Sequence, residues 1–137
     1  MRLAPSQRGS VTVELSCLTV VFVVIVLALS GFGRFAQVRA DLDQAARDGA
    51  RAASLRAAPE NASADATKAV DAALAEQGLA CASRRLRVDT SELHPGGQVS
   101  VSLDCELEMA EITLLRLPGR RTMTAGFVAP IDPLIGE

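Results

Sequence analysis

An uncharged apolar run near the N-terminus limits what this chain can fold into more than any other feature. Residues 15–33 contain no charged side chain, and Val, Leu, Ile and Phe dominate them. About 20 such residues form a helix long enough to cross the ~30 Å hydrocarbon core of a membrane. The few hydroxyls in the run can bond back to carbonyls of the same helix. The run therefore predicts a transmembrane helix, which we place at residues 11–33.

The charges that flank the run indicate its direction. Arg2 and Arg8 precede it, and no acidic residue comes before Glu14. Arg34 and Arg39 follow it, which weakens the difference between the two sides. A short basic head before a first hydrophobic segment still favours an N-terminus inside the cell. We expect a single-pass protein of the cytoplasmic membrane whose C-terminal part is extracytoplasmic.

The remaining composition argues against an enzyme and against nucleic-acid binding. The 137 residues carry a formal net charge of -2, which offers no electrostatic attraction to nucleic acid. The single histidine, His94, stands beside residues 95–97 (Pro-Gly-Gly), a sequence typical of a turn. We find no nucleophile with a base and no metal-ligand cluster. The sequence therefore predicts no catalytic residue, no metal site and no cofactor.

Two processing schemes explain a basic head followed by an apolar run. A signal peptidase cut after Ser30, where residues 28–30 read Ala-Leu-Ser, would release a soluble secreted binding domain. The apolar run is longer than the 7–15 residues typical of a signal peptide, which argues against that cut. A cut between Gly9 and Ser10 would instead leave the hydrophobic helix on the mature protein. A third possibility is an anchored accessory protein that is never cut.

Glu14 needs an explanation, because an acid at the centre of a bilayer costs about 2.5–3.5 kcal/mol on insertion scales. After a cut at Gly9, Ser10 would carry a free amine and Glu14 would be the fifth residue of the mature chain. Its carboxylate would then lie near the positive end of the helix, which is favourable by roughly 0.3–1 kcal/mol. An ion pair with the N-terminal amine of a neighbouring subunit could offset the remaining cost of burying the carboxylate. The alternative is an interfacial acid without a partner.

The order of these features resembles a known family. Residues 8–14 (RGSVTVE) before an apolar helix look like the start of a type IV pilin, and "FGRFAQVRADLDQAARDGARAAS" follows at residues 32–54. Together they resemble the TadE-like pseudopilins, or minor pilins, of the tight-adherence (Flp) pilus machinery. The resemblance covers residues 8–54.

The resemblance implies a role for each matching position. Gly9 and Ser10 correspond to the prepilin-peptidase cut, and Glu14 corresponds to the pilin glutamate that pairs with an N-terminal amine. The implied partners are the membrane, the prepilin peptidase, a pilus assembly platform and other pilin subunits, which the N-terminal helix would contact. Many family members carry a proline within the apolar helix, whereas residues 11–32 contain none. A straighter helix should follow.

Beyond the run, the sequence predicts that the first helix continues and a second one follows it. Six residues recur at steps of three and four, a narrow stripe of the coiled-coil kind: Phe35, Val38, Leu42, Ala45, Gly49 and Ala52. We expect one rod over residues 11–55, whose outer stripe packs on the chain's own C-terminal domain. Ser63 is the expected N-cap of the second helix, with Asp65 in its first turn, and Gly78 ends it.

The last third of the chain predicts strands. Residues 99–109 alternate strictly between apolar and polar side chains, which is typical of a half-buried strand. Weaker signals place strands at residues 84–93 and 123–129, and residues 112–117 (ITLLRL) fit a strand, a short helix or a contact patch. Cys105 falls on the buried face, within reach of Cys81 at the end of the second helix. A disulfide fits an oxidising compartment, and two unrelated buried thiols are the alternative.

The sequence as a whole therefore predicts an α+β protein with three parts. Residues 1–9 form a basic leader, residues 10–57 a long N-terminal helix, and residues 58–137 a small extracytoplasmic domain. The long helix has a transmembrane and an extracytoplasmic half. The small domain combines the second helix with an antiparallel sheet of about three strands.

Overall fold

The computed structural model describes residues 8–109 and 118–134, and for residues 8–12 it describes the backbone only. Within these ranges the chain forms two helices and then three strands: α1 (Arg8–Ser54), α2 (Pro59–Glu76), β1 (Ser83–Glu92), β2 (Gln98–Glu108) and β3 (Arg120–Pro130). The predicted α+β class, with a long first helix and a three-stranded antiparallel sheet, is confirmed. Residues 1–7 and 112–117, on which two sequence expectations fall, lie outside the described residues.

The chain divides into two compact units, of which the first ends at Gly33 and the second begins at Arg34. The second unit therefore includes the outer part of α1. Residues 42–53 of α1 supply a large share of its core. The predicted boundary of the small domain at residue 58 stays a prediction.

The buried face of α1 is wider than the predicted coiled-coil stripe. Six residues form it, at alternating steps of three and one: Leu42, Ala45, Ala46, Gly49, Ala50 and Ala53. Ala52, which the narrow stripe included, is only half-buried. A broad apolar face is typical of a helix packed on a globular core, whereas a coiled-coil seam is narrower. The predicted packing of this region on the chain's own C-terminal domain is confirmed.

The second helix begins earlier than predicted. Pro59 lies at its first turn after Ala58, which adopts an extended backbone and makes no side-chain cap. Proline suits this position because its fixed φ fits a helix and its missing N–H has no partner there anyway. The expected N-cap at Ser63 is wrong, since Ser63 lies inside α2, where its carbonyl accepts a 2.8 Å hydrogen bond from the Thr67 hydroxyl.

The end of α2 follows the predicted glycine stop. Gly78 has φ +66°, a backbone conformation that glycine adopts without steric cost. The N–H of Gly78 donates to Ala75 O at 3.1 Å, and that of Leu79 donates to Leu74 O at 3.0 Å. This pair of bonds is a Schellman motif, which satisfies the last carbonyls of the helix. Leu79 also packs against the core, so the motif directs the chain towards Cys81.

The sheet has the order β1-β2-β3, with both neighbouring pairs antiparallel. The inner face of β2 carries five buried side chains: Val99, Val101, Leu103, Cys105 and Leu107. Leu103 lies between Leu86 of β1 and Ala125 of β3 in the register. Leu103, Cys105 and Leu107 share one cluster with Leu42 of α1 and Val70 of α2, whereas Val99 and Val101 belong to a second cluster with alanines of both helices. The core therefore lies between the two helices and one face of the sheet.

The connection between β1 and β2 is a glycine turn, as the sequence predicts. Gly96 has φ +78°, and the Gly97 N–H donates to His94 O at 2.8 Å. His94 is exposed in this turn, where its ring Nδ1 lies 3.2 Å from Pro95 O. Nearby, the backbone N–H and the hydroxyl of Ser91 bond to the Asp89 carboxylate and lower its pKa below the ordinary value.

Replacing Gly49 by Ala is expected to destabilise the second unit. A Cβ at this position would lie 2.7 Å from Val70 Cγ2 of α2, and Val70 is fully buried and stiff at χ1. Overpacking of this kind costs about 1–3 kcal/mol, which outweighs the ~1 kcal/mol that alanine gains in helix propensity. Chemical denaturation should therefore show a lower free energy of unfolding. Val70→Ala alone should also destabilise the unit, because it leaves a cavity, but the double variant should lose less than the sum of the two single losses. A stabilised Gly49→Ala variant would contradict the close packing.

Candidate functional site

The apolar part of α1 is uncovered in this structure. Every large apolar side chain between Val13 and Phe32 is exposed, from 44% for Val26 to 74% for Phe32. Among the described residues, α1 is the one helix long and apolar enough to cross a membrane, with a mean hydropathy of 2.7 over its most apolar window. A signal sequence passes the same test of length and composition. A large exposed apolar surface of this kind is typical of a membrane or protein interaction site.

The polar side chains within the apolar run bond to the backbone of their own helix. The Thr19 hydroxyl donates to Leu15 O at 2.8 Å, and the Ser30 hydroxyl donates to Val26 O at the same distance. Both bonds span four residues, the pattern expected from the sequence. These two hydroxyls therefore need no external partner and do not disfavour an apolar environment.

Glu14 lies at the start of the apolar run, and its side chain is exposed. It shares a shallow groove on one side of α1 with Val13, Cys17, Leu18 and Val21, all apolar neighbours except the free thiol of Cys17. The carboxylate therefore lies at the edge of an apolar helix surface. A surface of this kind favours a cationic partner, because an unpaired charge among apolar groups is costly.

Gly9 and Ser10 both lie within α1, whose helical backbone extends over residues 8–54. Ser10 precedes Glu14 by four residues, which is about one helical turn. The structure thus places the predicted processing site and Glu14 on neighbouring turns of the same helix.

Comparison with known proteins agrees with this arrangement. Residues 9–51 match the family model of TadE-like proteins. This segment of the chain is TadE-like. No curated protein and no solved structure matches the chain.

The TadE-like segment contains Gly9, Ser10, Glu14, the whole apolar run and most of the buried face of α1. The match shows that this segment is similar to TadE-like proteins, and its apolar run fits a membrane helix by length and composition. The segment ends at Arg51, so α2 and the sheet lie outside the matched residues.

Cys81 and Cys105 form a disulfide in the structure, the pairing expected from the sequence. Their Cα atoms are 5.4 Å apart, within the range usual for this bond. Cys105 is fully buried on the inner face of β2, and Cys81 follows the Schellman turn of α2. The bridge therefore connects the end of the second helix to the centre of the sheet. Over residues 8–109 and 118–134, no group of His, Cys, Asp and Glu could hold a metal ion.

The fold also creates contacts that the sequence does not indicate. The Arg121 guanidinium carbon lies 6.0 Å from the centroid of the Phe35 ring, and that of Arg47 lies 5.6 Å from the Phe127 ring. Both are cation–π contacts between α1 and β3. No local pattern could have shown them, because they depend on which end of β3 lies beside which turn of α1.

Proposed function

We propose that this protein is a minor pilin or pseudopilin that takes part in assembly of a tight-adherence (Flp) pilus. It would insert in the cytoplasmic membrane through α1 and be processed by a prepilin peptidase between Gly9 and Ser10. The observation that carries the proposal is the uncovered apolar half of α1 within the TadE-like segment at residues 9–51. Proteins of this family build pili, and the proposal assigns no enzymatic activity to the chain.

In this proposal the N-terminal helix is the assembly surface. The exposed apolar side chains of residues 13–32 lie in lipid before assembly and against helices of neighbouring subunits afterwards. Processing frees the amine of Ser10, one turn before Glu14. An axial stagger between two helices then brings the amine of one subunit to the carboxylate of the next. A pilus assembly platform in the membrane would move the subunit from lipid to filament.

The second compact unit fits an extracytoplasmic position. Its Cys81–Cys105 disulfide suits an oxidising compartment, and the basic leader favours an N-terminus that stays inside. The outer unit would then remain folded on the far side of the membrane while α1 exchanges its lipid contacts for protein contacts.

A secreted binding domain, released after Ser30, is the second candidate. Ala28 and Ser30 are small residues at the spacing that signal peptidase accepts. Release there would keep the whole buried face of α1, from Leu42 to Ala53, with the second unit. The released unit would therefore retain its core, and the position of the cut decides between the two functions.

We expect the mature protein to begin at Ser10. Intact mass measurement and N-terminal peptide mapping of protein purified from membranes will show the first residue. The Gly9→Val variant is the matched control, because a bulky residue should block a cut that needs glycine but leave a cut after Ser30 unchanged. A chain that begins at Gly31 would contradict the pilin proposal. A chain that keeps Met1 in both proteins would support the uncut anchor instead.

A further inference from the structure

Arginines gather around the part of α1 that follows the apolar run. Arg34 and Arg39 follow it in the sequence, and the fold adds Arg120 and Arg121 from the start of β3. Arg121 lies over Phe35, the second residue after Gly33. Cations that follow the apolar run reduce the excess of positive charge before it, which orients a membrane protein. The orientation of the helix therefore does not explain why these arginines are present.

Two of these arginines line one crevice between α1 and β3. The crevice has a volume of about 270 Å³, and its walls include Phe35, Arg39, Arg121, Thr122 and Thr124. Both guanidinium groups belong to exposed residues. No carboxylate is among the residues that line it. The charged residues of the crevice are therefore two arginines, which suit an anion.

The nearest acids of the sheet bond to groups at the border of this crevice. Glu106 lies 3.8 Å from the Arg120 guanidinium, and Asp104 accepts a 2.8 Å hydrogen bond from the Thr124 hydroxyl. Both acids alternate with the inward-facing residues of β2, so they belong to the other face of the sheet. These two acids therefore bond to Arg120 and Thr124 on that face, while Arg39 and Arg121 line the crevice on the other.

Two residues of this crevice follow the apolar run closely in the sequence. Phe35 and Arg39 come two and six residues after Gly33. A headgroup layer extends about 5–8 Å beyond the hydrocarbon core, and arginine side chains can reach back towards it along their apolar stems. If α1 crosses the membrane as proposed above, this short chain separation lets Arg39, and Arg121 through its contact with Phe35, reach the lipid phosphates.

We propose that this crevice binds the phosphate of an anionic phospholipid in the outer leaflet of the cytoplasmic membrane. The planar guanidinium groups of Arg39 and Arg121 suit phosphate oxygens, to which arginine donates two parallel hydrogen bonds. The absence of a carboxylate in the lining disfavours a zwitterionic headgroup, whose ammonium would meet two cations. The proposal rests on membrane insertion of α1, which the proposed function includes.

Native mass spectrometry of the full-length protein will test the site. The protein is released from micelles that contain equal amounts of phosphatidylglycerol and phosphatidylcholine of the same acyl chains. We expect wild type to retain phosphatidylglycerol preferentially, and Arg39→Gln with Arg121→Gln to lower that retention by roughly tenfold or more. The matched control is Arg85→Gln with Arg87→Gln, which removes the same charge from exposed positions of β1 and should leave retention unchanged.

A second variant separates binding from folding. Arg39→Lys with Arg121→Lys keeps the charge and should restore most of the phosphatidylglycerol retention, while circular dichroism checks that all variants are folded. Equal retention in the two glutamine double variants would overturn the proposal, as would equal retention of the two lipids by wild type. Complete displacement of lipid by millimolar inorganic phosphate would also overturn it, in favour of a free anion.

The same spectra distinguish this proposal from the proposed function. A chain that begins at Ser10 but shows no lipid preference overturns the phospholipid site alone. A chain that begins at Gly31 lacks the membrane helix and overturns both.

Discussion

Replacing Glu14 by Ala is expected to reduce assembled pili by about tenfold or more while the subunit still inserts in the membrane. Removing one partner of a buried ion pair costs about 3–5 kcal/mol, because the other charge stays buried without compensation. Here that charge would be the Ser10 amine of a neighbouring subunit. Since 1.4 kcal/mol is a factor of ten, even part of this cost is enough to prevent stable docking. Counting pili by electron microscopy and measuring sheared pilus protein will show the loss.

Membrane insertion provides the internal comparison for this variant. Glu14 is the acid at the start of an apolar run whose other side chains suit lipid. Its removal should therefore leave membrane insertion equal or slightly improved. Resistance of the subunit to extraction with alkaline carbonate measures this. Glu14→Asp keeps the carboxylate and should retain partial assembly.

Asp43→Ala is the matched control for Glu14→Ala, because Asp43 is an acid of the same helix beyond the apolar run. It should change neither piliation nor insertion. Normal piliation in Glu14→Ala would show that Glu14 is an interfacial acid without a role in assembly, and the pilin proposal would lose its main functional residue.

The sequence predicts best those parts of the fold that depend on a local period. The strict alternation in residues 99–109 located β2, because one face of that strand is buried against the helices and the other is not. The long apolar run located the first part of α1 for a similar reason. Gly78 was identified as a helix end because few other residues adopt its backbone conformation at low cost.

The sequence predictions are wrong or incomplete where two local signals compete, or where segments distant in the sequence come into contact. Ser63 has the chemistry of an N-cap, but Pro59 begins the helix four residues earlier and leaves Ser63 inside it. The wide buried face of α1 depends on α2 and the sheet covering it together, which a single helix sequence does not show. The contact of Arg121 with Phe35 depends on the register of β3.

The candidate site also combines residues that the sequence indicates with features that only the fold or a second chain creates. Gly9, Ser10 and Glu14 could be selected from sequence because they stand at fixed positions before an apolar run. The role of Glu14 depends on a second chain, so one subunit's fold leaves it as a prediction. The anion crevice could not be predicted, since β3 contributes Arg121 from a distant part of the sequence.

Replacing both Cys81 and Cys105 by Ala is expected to lower the free energy of unfolding of the second unit by ~3 kcal/mol. The disulfide joins residues 24 apart, and closing a loop of this size removes that much conformational entropy from the unfolded chain in the chain-entropy model. For a unit of this size the melting temperature should fall by roughly 10–20 °C. Alanine is preferable to serine at Cys105, because that side chain is fully buried and a hydroxyl would lack a partner.

The third cysteine provides the matched control for this double variant. Cys17 is free and exposed within the apolar run, so Cys17→Ala should leave the melting temperature unchanged. A reductant should lower the melting temperature of wild type to that of the double variant and have no effect on the double variant itself. If the reductant leaves wild type unchanged while the thiols become accessible to alkylation, the bridge does not stabilise the fold.

A large effect follows from the composition of this core. Much of it is alanine, including Ala45, Ala46, Ala50, Ala62 and Ala66, which lets α1 and α2 approach closely but buries little apolar area per residue. The sheet supplies the larger side chains, and the disulfide connects it covalently to the end of α2. Without the bridge, the helix end and the sheet are held mainly by these small contacts. The double variant should therefore lose a larger share of its stability than the same change would cost a unit with a larger core.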